Sequence, residues 1–302
     1  MVLKAEQFQI IGAECKKHPN NCVSHAKQCS KQKKDMPYKS MIVLGILLIS
    51  CLMAEIIMTH DPKFMDLANT NIAPNKEFYF GTDAMGRDLF SMIWYGGRIS
   101  LFIGIFATLI STSIGVIYGT ISAFVCRELD DFLMRFTEII LSIPSILLIL
   151  FLQGIIGQAT PISIAIVIGI TRWIPIAKIV RSEVKQLKNM DYVLASKIAG
   201  GSFFHILKKH LLPNFMPSIM FMVVTDIGTA IGIESTLSFL GLGLPLDVIS
   251  WGSMLSLAKE AVLSNHWWVM AIPGMFLVIT LICMTHIGHH IQNINNKRCS
   301  HL

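Results

Sequence analysis

Charge is scarce in this chain. Asp, Glu, Lys and Arg together make up 15% of its 302 residues, hydrophobic residues make up 53%, and the mean hydropathy is +0.60. Soluble globular domains carry about 25% charged residues. The composition therefore excludes an ordinary soluble protein and predicts one that is integral to a membrane.

Motifs for nucleotide binding or hydrolysis are absent from the sequence. There is no Gly-x-x-x-x-Gly-Lys-[Ser/Thr] loop to cradle phosphates, no Gly-x-Ser-x-Gly elbow and no His-Glu-x-x-His pair. These absences disfavour enzymes of those classes. Energy for active transport would have to come from an ion gradient or from a partner that hydrolyses nucleotide.

A cleavable signal peptide is not expected from the sequence. The first 40 residues are polar, and the apolar run from Met41 has no small-residue cleavage site near its end. We expect this run to stay as the first membrane span.

Six apolar segments qualify, or nearly qualify, to cross a hydrocarbon core of ~30 Å, which predicts an all-α membrane fold. They cover residues 41–58, 99–125, 133–155, 162–179, 214–242 and 268–288. Residues 1–40 carry eight lysines against three acids, and the segment 178–212 is also basic. Both should lie in the cytoplasm, so six spans place both termini there. The net charge of +6 is explained by this topology, next to anionic lipid, and not by nucleic-acid binding.

Two groups of residues suggest metal ligands. Cys15, Cys22 and Cys29 recur every seven residues, with His18 and His25 three residues after the first two, and His286, His289 and His290 share helical spacing. Thiolates and imidazoles are ligands of soft and borderline metals. The alternatives are a solvated basic tail on the membrane surface for the first group and coincidence for the second.

A structured turn is predicted after the first span. Its residues are Gly81, Thr82, Asp83, Gly86, Arg87 and Asp88. The glycines allow tight turns, while the charged side chains can pair with each other and cap the next helix.

The predicted fifth span contains two acids, Asp226 and Glu234. Acids are costly in hydrocarbon and are expected to face a bundle interior or an aqueous cavity. Their separation places them about 80° apart on a helix, so both could line one transport path. Alternatively, each is hydrogen-bonded to a neighbouring helix.

The segment Asp191–Pro213 is the longest basic, amphipathic interruption between the apolar runs. It carries small residues on a helix-forming background, and Pro213 is expected to end it. Such a segment suits docking against another protein. We call residues 188–213 the docking segment.

Several motifs together resemble a known family. They are Gly81-Thr82-Asp83, Gly86-Arg87-Asp88, Tyr95-Gly96, Arg98, Ser100-Leu101, Ser238 to Gly243, Ser250 to Leu255 and the docking segment. From Phe80 to Gly288 the chain resembles the permease subunits of ABC importers for dipeptides, oligopeptides and nickel, on the second-permease branch.

The resemblance implies a type I importer fold in the bacterial cytoplasmic (inner) membrane. It implies a second homologous permease, two ATPase subunits that bind ATP and Mg, and an extracytoplasmic substrate-binding protein. No cofactor is expected on this chain. Its parts are then a tail (1–40), a first span (41–58), an outer loop (59–98), a five-helix core (99–288) and a C-terminal tail (289–302).

In that family, the region matching the docking segment forms a coupling helix that seats in a groove of the ATPase. The residues that the resemblance assigns to this role are Asp191, Ala195, Ser196, Gly200, Gly201, Leu212 and Pro213. A side chain added at Gly200 should hold the helix out of its groove. Leu194 stands where the family signature has a glutamate, and Gly288-His289 and Gln292-Asn293 replace its usual charged steps.

The expected function is uptake of a short peptide or a nickel chelate by alternating access, coupled to the ATPases. One alternative is a gradient-driven secondary transporter that uses Asp226 and Glu234 as proton relays. A weaker one is a passive assembly subunit.

Overall fold

The computed structural model describes residues 37–245 and 247–299 as helices joined by irregular segments. The α-helices are α1 (Tyr38–Leu52), α2 (Ala54–Ile57), α3 (Leu89–Phe124), α4 (Arg127–Ser142), α5 (Ser145–Ile156), α6 (Pro161–Leu187), α7 (Asp191–Ile198), α8 (Phe203–Ile206), α9 (Leu212–Phe239), α10 (Trp251–Leu263) and α11 (Trp268–Cys299). A π-helical turn, Leu207–Leu211, joins α8 to α9. In these ranges there is no β-strand, and a single antiparallel bridge joins Thr82 to Asp88.

In the described part of the chain, four helices are long and apolar enough to cross a membrane. They are α3, α6, the helix Phe203–Phe239 that runs through α8 and α9, and α11 over Trp268–Ile294. α4 and α5 together would make a fifth span, but they are bent by 89°. The first predicted span corresponds to the shorter apolar helix α1. The all-helical fold is confirmed, whereas the count of six spans stays a prediction.

Helix α3 begins earlier than the sequence pattern indicates. Asp88 caps it at Leu89, because its carboxylate accepts hydrogen bonds from the backbone N–H groups of Phe90 and Ser91. The last part of the predicted outer loop, residues 59–98, therefore belongs to this helix.

Helix α6 continues beyond its predicted end. It passes through Pro175 to Leu187, and Trp173 is buried within it. A proline removes one backbone hydrogen bond, but packed membrane helices tolerate that loss.

A sharp bend at Pro144 divides the predicted third span, residues 133–155. Ile143, the residue before Pro144, is extended (φ −87°, ψ 127°), as expected for a residue whose helical conformation the proline ring disfavours. The apolar run therefore divides into α4 and α5.

Small residues allow α3 and α6 to pack closely. A Cβ atom on Gly119 would lie 2.5 Å from the carbonyl oxygen of Ala177, and one on Gly169 would lie 2.8 Å from that of Ala107. Helix α3 is therefore a closely packed interior helix.

Candidate functional site

The outer turn is fixed by its charged residues. Arg87 is buried, and its Nε donates a 2.8 Å hydrogen bond to Asp83 Oδ2, while Asp83 Oδ1 accepts from the backbone N–H of Arg87 at 2.9 Å. Gly81 and Gly86 have φ values of +77° and +71°. The predicted turns, pairing and cap are confirmed.

Thr82 and Asp88 tie this turn to its surroundings. The Thr82 hydroxyl donates to the carbonyl of Asn69 at 2.6 Å. Asp88 Oδ2 accepts from the hydroxyls of Ser91 at 2.6 Å and Thr59 at 2.8 Å. The segment after α2 is thereby attached to the start of α3.

Glu234 lies at the centre of a hydroxyl cluster and is completely buried. Ser238 and Ser250 donate to its Oε1 at 3.0 and 2.9 Å, and Ser235 and Ser100 donate to its Oε2 at 3.4 and 3.5 Å. The cluster joins α3, α9 and the start of α10 around one carboxyl group. We call it the serine cluster.

Trp251 and Gly252 lie beside the serine cluster, within one of the motifs that carry the family resemblance. The backbone N–H of Trp251 donates to Ser100 Oγ at 3.1 Å, and its indole Nε1 donates to the carbonyl of Ile93 at 3.0 Å. A Cβ on Gly252 would lie 2.8 Å from Glu234 Oε1. Segments far apart in the chain therefore converge on Glu234.

Asp226 belongs to a separate network. Its Oδ1 accepts from Arg172 Nε of α6 at 2.7 Å, and its Oδ2 accepts from Ser111 Oγ of α3 at 3.0 Å. Sequence reasoning missed Arg172, although a single arginine inside the apolar run 162–179 is a detectable signal.

Neither acid lines the cavity beside α9. That cavity, of about 680 Å³, lies between α9, α10 and α11, and its lining includes Thr225, Thr229 and Thr236 of α9 and Leu281 of α11. The hydrogen bonds favour the structural alternative for Asp226 and Glu234. Their role in a transport path stays a prediction.

The docking segment has one anchored side and one free side. Val193 of α7 is buried and packs in a cluster with Ile206 and Leu211. Leu194 and Ile198 are 43% and 87% exposed. α7 is therefore held from one side and offers apolar side chains on another.

Gly200 ends α7 in a left-handed conformation with φ +83°. The N–H of Gly200 donates to the carbonyl of Lys197, and that of Gly201 donates to the carbonyl of Ser196. This is a common helix end that favours glycine. A Cβ on Gly200 would meet no atom within 4 Å, whereas one on Gly201 would lie 2.8 Å from the carbonyl of Ser196.

Pro213 does not end the docking segment, contrary to the sequence prediction. It lies inside a continuous helix, directly after the π-helical turn, and packed membrane helices tolerate the backbone hydrogen bond that a proline removes. The π-helical turn before it makes the helix continuous from Phe203 to Phe239. The docking segment is therefore joined directly to a long apolar helix.

An ionic cluster includes residues of α6, the helix that precedes α7 in the chain. Asp130 of α4 accepts from Arg181 Nε and Nη2 of α6 at 2.6 Å each, and from Ser122 Oγ of α3 at 2.6 Å. Lys185 also bonds Asp130. Charges thus join α4 to α6, and a hydroxyl joins α4 to α3, through contacts that the sequence analysis did not single out.

No metal site is found in residues 37–245 and 247–299, where no three His, Cys, Asp or Glu side chains come together. His286 instead lies 3.3 Å from Ser40 Oγ through its Nδ1. Cys15, His18, Cys22, His25 and Cys29 lie outside the described residues.

Comparisons with known proteins give consistent matches. The family model "Binding-protein-dependent transport system inner membrane component" matches residues 114–301. The dipeptide transport system permease protein DppC of Bacillus subtilis is 36% identical over 262 residues, which cover 87% of this chain and 82% of the relative. The oligopeptide transport system permease protein OppC of Bacillus subtilis is 37% identical over 253 residues, covering 84% and 82%. The probable D,D-dipeptide transport system permease protein DdpC of Escherichia coli is 31% identical over 255 residues, covering 84% and 85%.

Proposed function

The chain belongs to the family of binding-protein-dependent transport system inner membrane components, and from this membership we propose that it is the second permease of an ATP-driven importer of short peptides. It is a permease subunit and not an enzyme, since ATP hydrolysis belongs to separate ATPase subunits. The partners are a second homologous permease, two ATPases that bind ATP and Mg, and an extracytoplasmic binding protein. The site of action is the bacterial cytoplasmic membrane.

The free side of α7 is the observation that carries this proposal. Leu194 and Ile198 are spaced by one helical turn, and Phe204 beyond them is 77% exposed. An exposed apolar patch next to basic residues is a typical protein interaction surface. This patch docks into a groove of the ATPase. The groove contacts the apolar side chain of Leu194, at the position where the family signature has a carboxylate.

Coupling follows from the connection between α7 and α9. The helix Phe203–Phe239 continues from the docking segment into the membrane, and Val193 of α7 packs with its first turns. Movement of α7 with the ATPases would therefore tilt α9 and change access to the cavity beside it. Alternating access needs two such packings only a few kcal/mol apart, which ATP and the loaded binding protein favour differently.

The proposed substrate is a short peptide and not a nickel chelate. The three relatives described above are peptide permeases by name. The histidines at the end of α11 lack the grouping that a metal would need in the described part of the chain.

Reconstitution tests the function. The four membrane-complex subunits in proteoliposomes, supplied with binding protein, should import a labelled dipeptide only when ATP and Mg are present on the ATPase side. A proton gradient without ATP should drive no uptake. Uptake by this chain without the ATPases would instead establish the secondary-transporter alternative.

Ala195 tests the docking surface within the same assay. Its side chain is exposed on α7, so Ala195→Trp should leave the chain folded but obstruct the ATPase groove. We expect substrate-stimulated ATP hydrolysis to fall at least ~10-fold, the equivalent of ~1.4 kcal/mol of coupling. Ala195→Ser keeps the side chain small and should retain coupling, and equal activity of both variants would contradict the assigned surface.

A further inference from the structure

Arg172 combines an internal position with unused hydrogen-bond donors. It lies in α6 about 16 Å along the helix axis from Pro161, at ~1.5 Å per residue, which is near the middle of a membrane span. Its side chain is 25% exposed, whereas that of its partner Asp226 is 9% exposed. The cation therefore reaches a surface that the acid does not.

The pairing with Asp226 leaves most of the guanidinium free. Only Nε donates to Asp226, and Ser111 occupies the other carboxylate oxygen. Among the described residues, nothing engages Nη1 or Nη2 of Arg172. A guanidinium has five N–H donors and no acceptor, so four N–H groups remain for an anion.

The neighbours of Arg172 one helical turn away on α6 are apolar. They are Ile168, Gly169 and Ile176, which are buried, and Pro175, which is exposed. A charged side chain in the middle of a membrane span faces a water-filled route or another protein, since hydrocarbon would penalise it strongly. This side of α6 therefore faces away from lipid.

We propose that Arg172 receives the C-terminal carboxylate of a peptide substrate midway through its passage, with Asp226 and Ser111 as positioning residues. A guanidinium with two free Nη groups matches a carboxylate with two parallel hydrogen bonds. The ion pair with Asp226 holds the guanidinium in place. It also keeps the net charge of the unoccupied site close to zero, which limits the affinity of the site for a peptide in transit. The inference rests on the proposed function and adds a recognition residue to it.

The test compares a peptide that has a free C-terminal carboxylate with the same peptide as a C-terminal amide. A pair is chosen that the binding protein binds with equal affinity, so that differences arise in the permease. In the complete reconstituted importer, Arg172→Gln should lower kcat/KM for the acid at least ~10-fold and change that for the amide less than ~2-fold. Arg172→Lys keeps the charge but loses the forked pair of donors. Its kcat/KM for the acid should lie between the values for the unmodified importer and for Arg172→Gln.

Two controls separate recognition from folding. Arg172→Gln leaves Asp226 buried without its cation, so the double variant Arg172→Gln/Asp226→Asn repeats the measurement without that defect and should show the same selective loss. Arg135→Gln removes another exposed arginine, on α4, and should leave both peptides unaffected.

Three outcomes are decisive against the inference. An equal loss for acid and amide means that Arg172 is structural. Loss of the second permease from the purified complex means that Arg172 pairs with an acid of that subunit. If the double variant still distinguishes acid from amide as the unmodified complex does, the carboxylate site is refuted while the proposed function stands. If the unmodified complex shows no ATP-dependent peptide uptake, the proposed function itself is refuted.

Discussion

A carboxyl group inside a membrane protein needs partners, and the two acids of α9 obtain them in different ways. Asp226 is matched by a cation and one hydroxyl, and Glu234 is matched by hydroxyls alone. Helical spacing could predict the angle between the two acids. It could not predict Arg172 or Ser250 as partners, because those residues come from other elements that only the tertiary fold brings close.

Replacement of Glu234 tests the serine cluster. Glu234→Ala would leave four buried hydroxyls without their acceptor, and a buried polar group without a partner costs about 1–3 kcal/mol. We expect a clearly lower Tm for the purified importer in detergent. Glu234→Gln retains one acceptor oxygen and should lose less.

The control for this prediction is Thr236→Val, two residues further along α9. The Thr236 hydroxyl is exposed and donates to the carbonyl of Gly232 in its own helix. Its removal should leave the Tm within error. A Glu234→Ala variant as stable as this control would show that the cluster contributes nothing to stability.

At the scale of single elements, the sequence predicted most helices but misplaced several ends. Apolar runs identified the interiors of α3, α6, α9 and α11, because hydrophobicity over ~20 residues is a strong signal. The start of α3 depends on the cap at Asp88, and the continuity of α8 with α9 depends on a π-helical turn at Leu207–Leu211. Such features are local hydrogen-bond arrangements that composition does not reveal.

Close packing of α3 on α6 gives a matched pair of glycine variants. Gly119→Ala places a Cβ 2.5 Å from the Ala177 carbonyl and should separate the helices, at a cost of about 1–3 kcal/mol. Gly154→Ala in α5 meets no atom within 4 Å and should be neutral or slightly stabilising, since alanine favours helix. Thermal unfolding of the two variants compares the costs directly, and equal Tm values would contradict the close contact.

Gly200 shows why a bulky side chain there would be a poor test of docking. Its φ of +83° strains any residue with a Cβ, so Gly200→Val would distort the end of α7 even without an ATPase. Asparagine tolerates this conformation better than valine. We expect Gly200→Asn to keep substrate-stimulated ATP hydrolysis within ~3-fold and Gly200→Val to lose ~10-fold or more, about the factor given by a strain of 1–2 kcal/mol. Equal loss in both variants would mean that added bulk, and not backbone strain, disturbs docking.

At the scale of the whole molecule, composition predicted an all-helical membrane protein, and the fold agrees. The number of crossings is harder to obtain, because it depends on whether α4 and α5 cross together or turn back at their 89° bend. Hydropathy averages over the bend and cannot distinguish a broken span from a re-entrant pair. The charge pattern does distinguish them, since it requires the docking segment to be cytoplasmic.

Cysteine labelling decides between the two topologies. In a variant without the other native cysteines, a membrane-impermeant maleimide added to intact spheroplasts should label Gln158→Cys, between α5 and α6, but not the native exposed Cys126 before α4. Ala84→Cys in the outer loop should also react from outside, and Ala199→Cys after α7 should react only once the membrane is permeabilised. If α4 and α5 turn back, residues 126 and 158 share one side and Ala199→Cys reacts from outside. That result would place the docking segment out of reach of any ATPase and would contradict the six-span topology, the coupling role of α7 and the proposed function together.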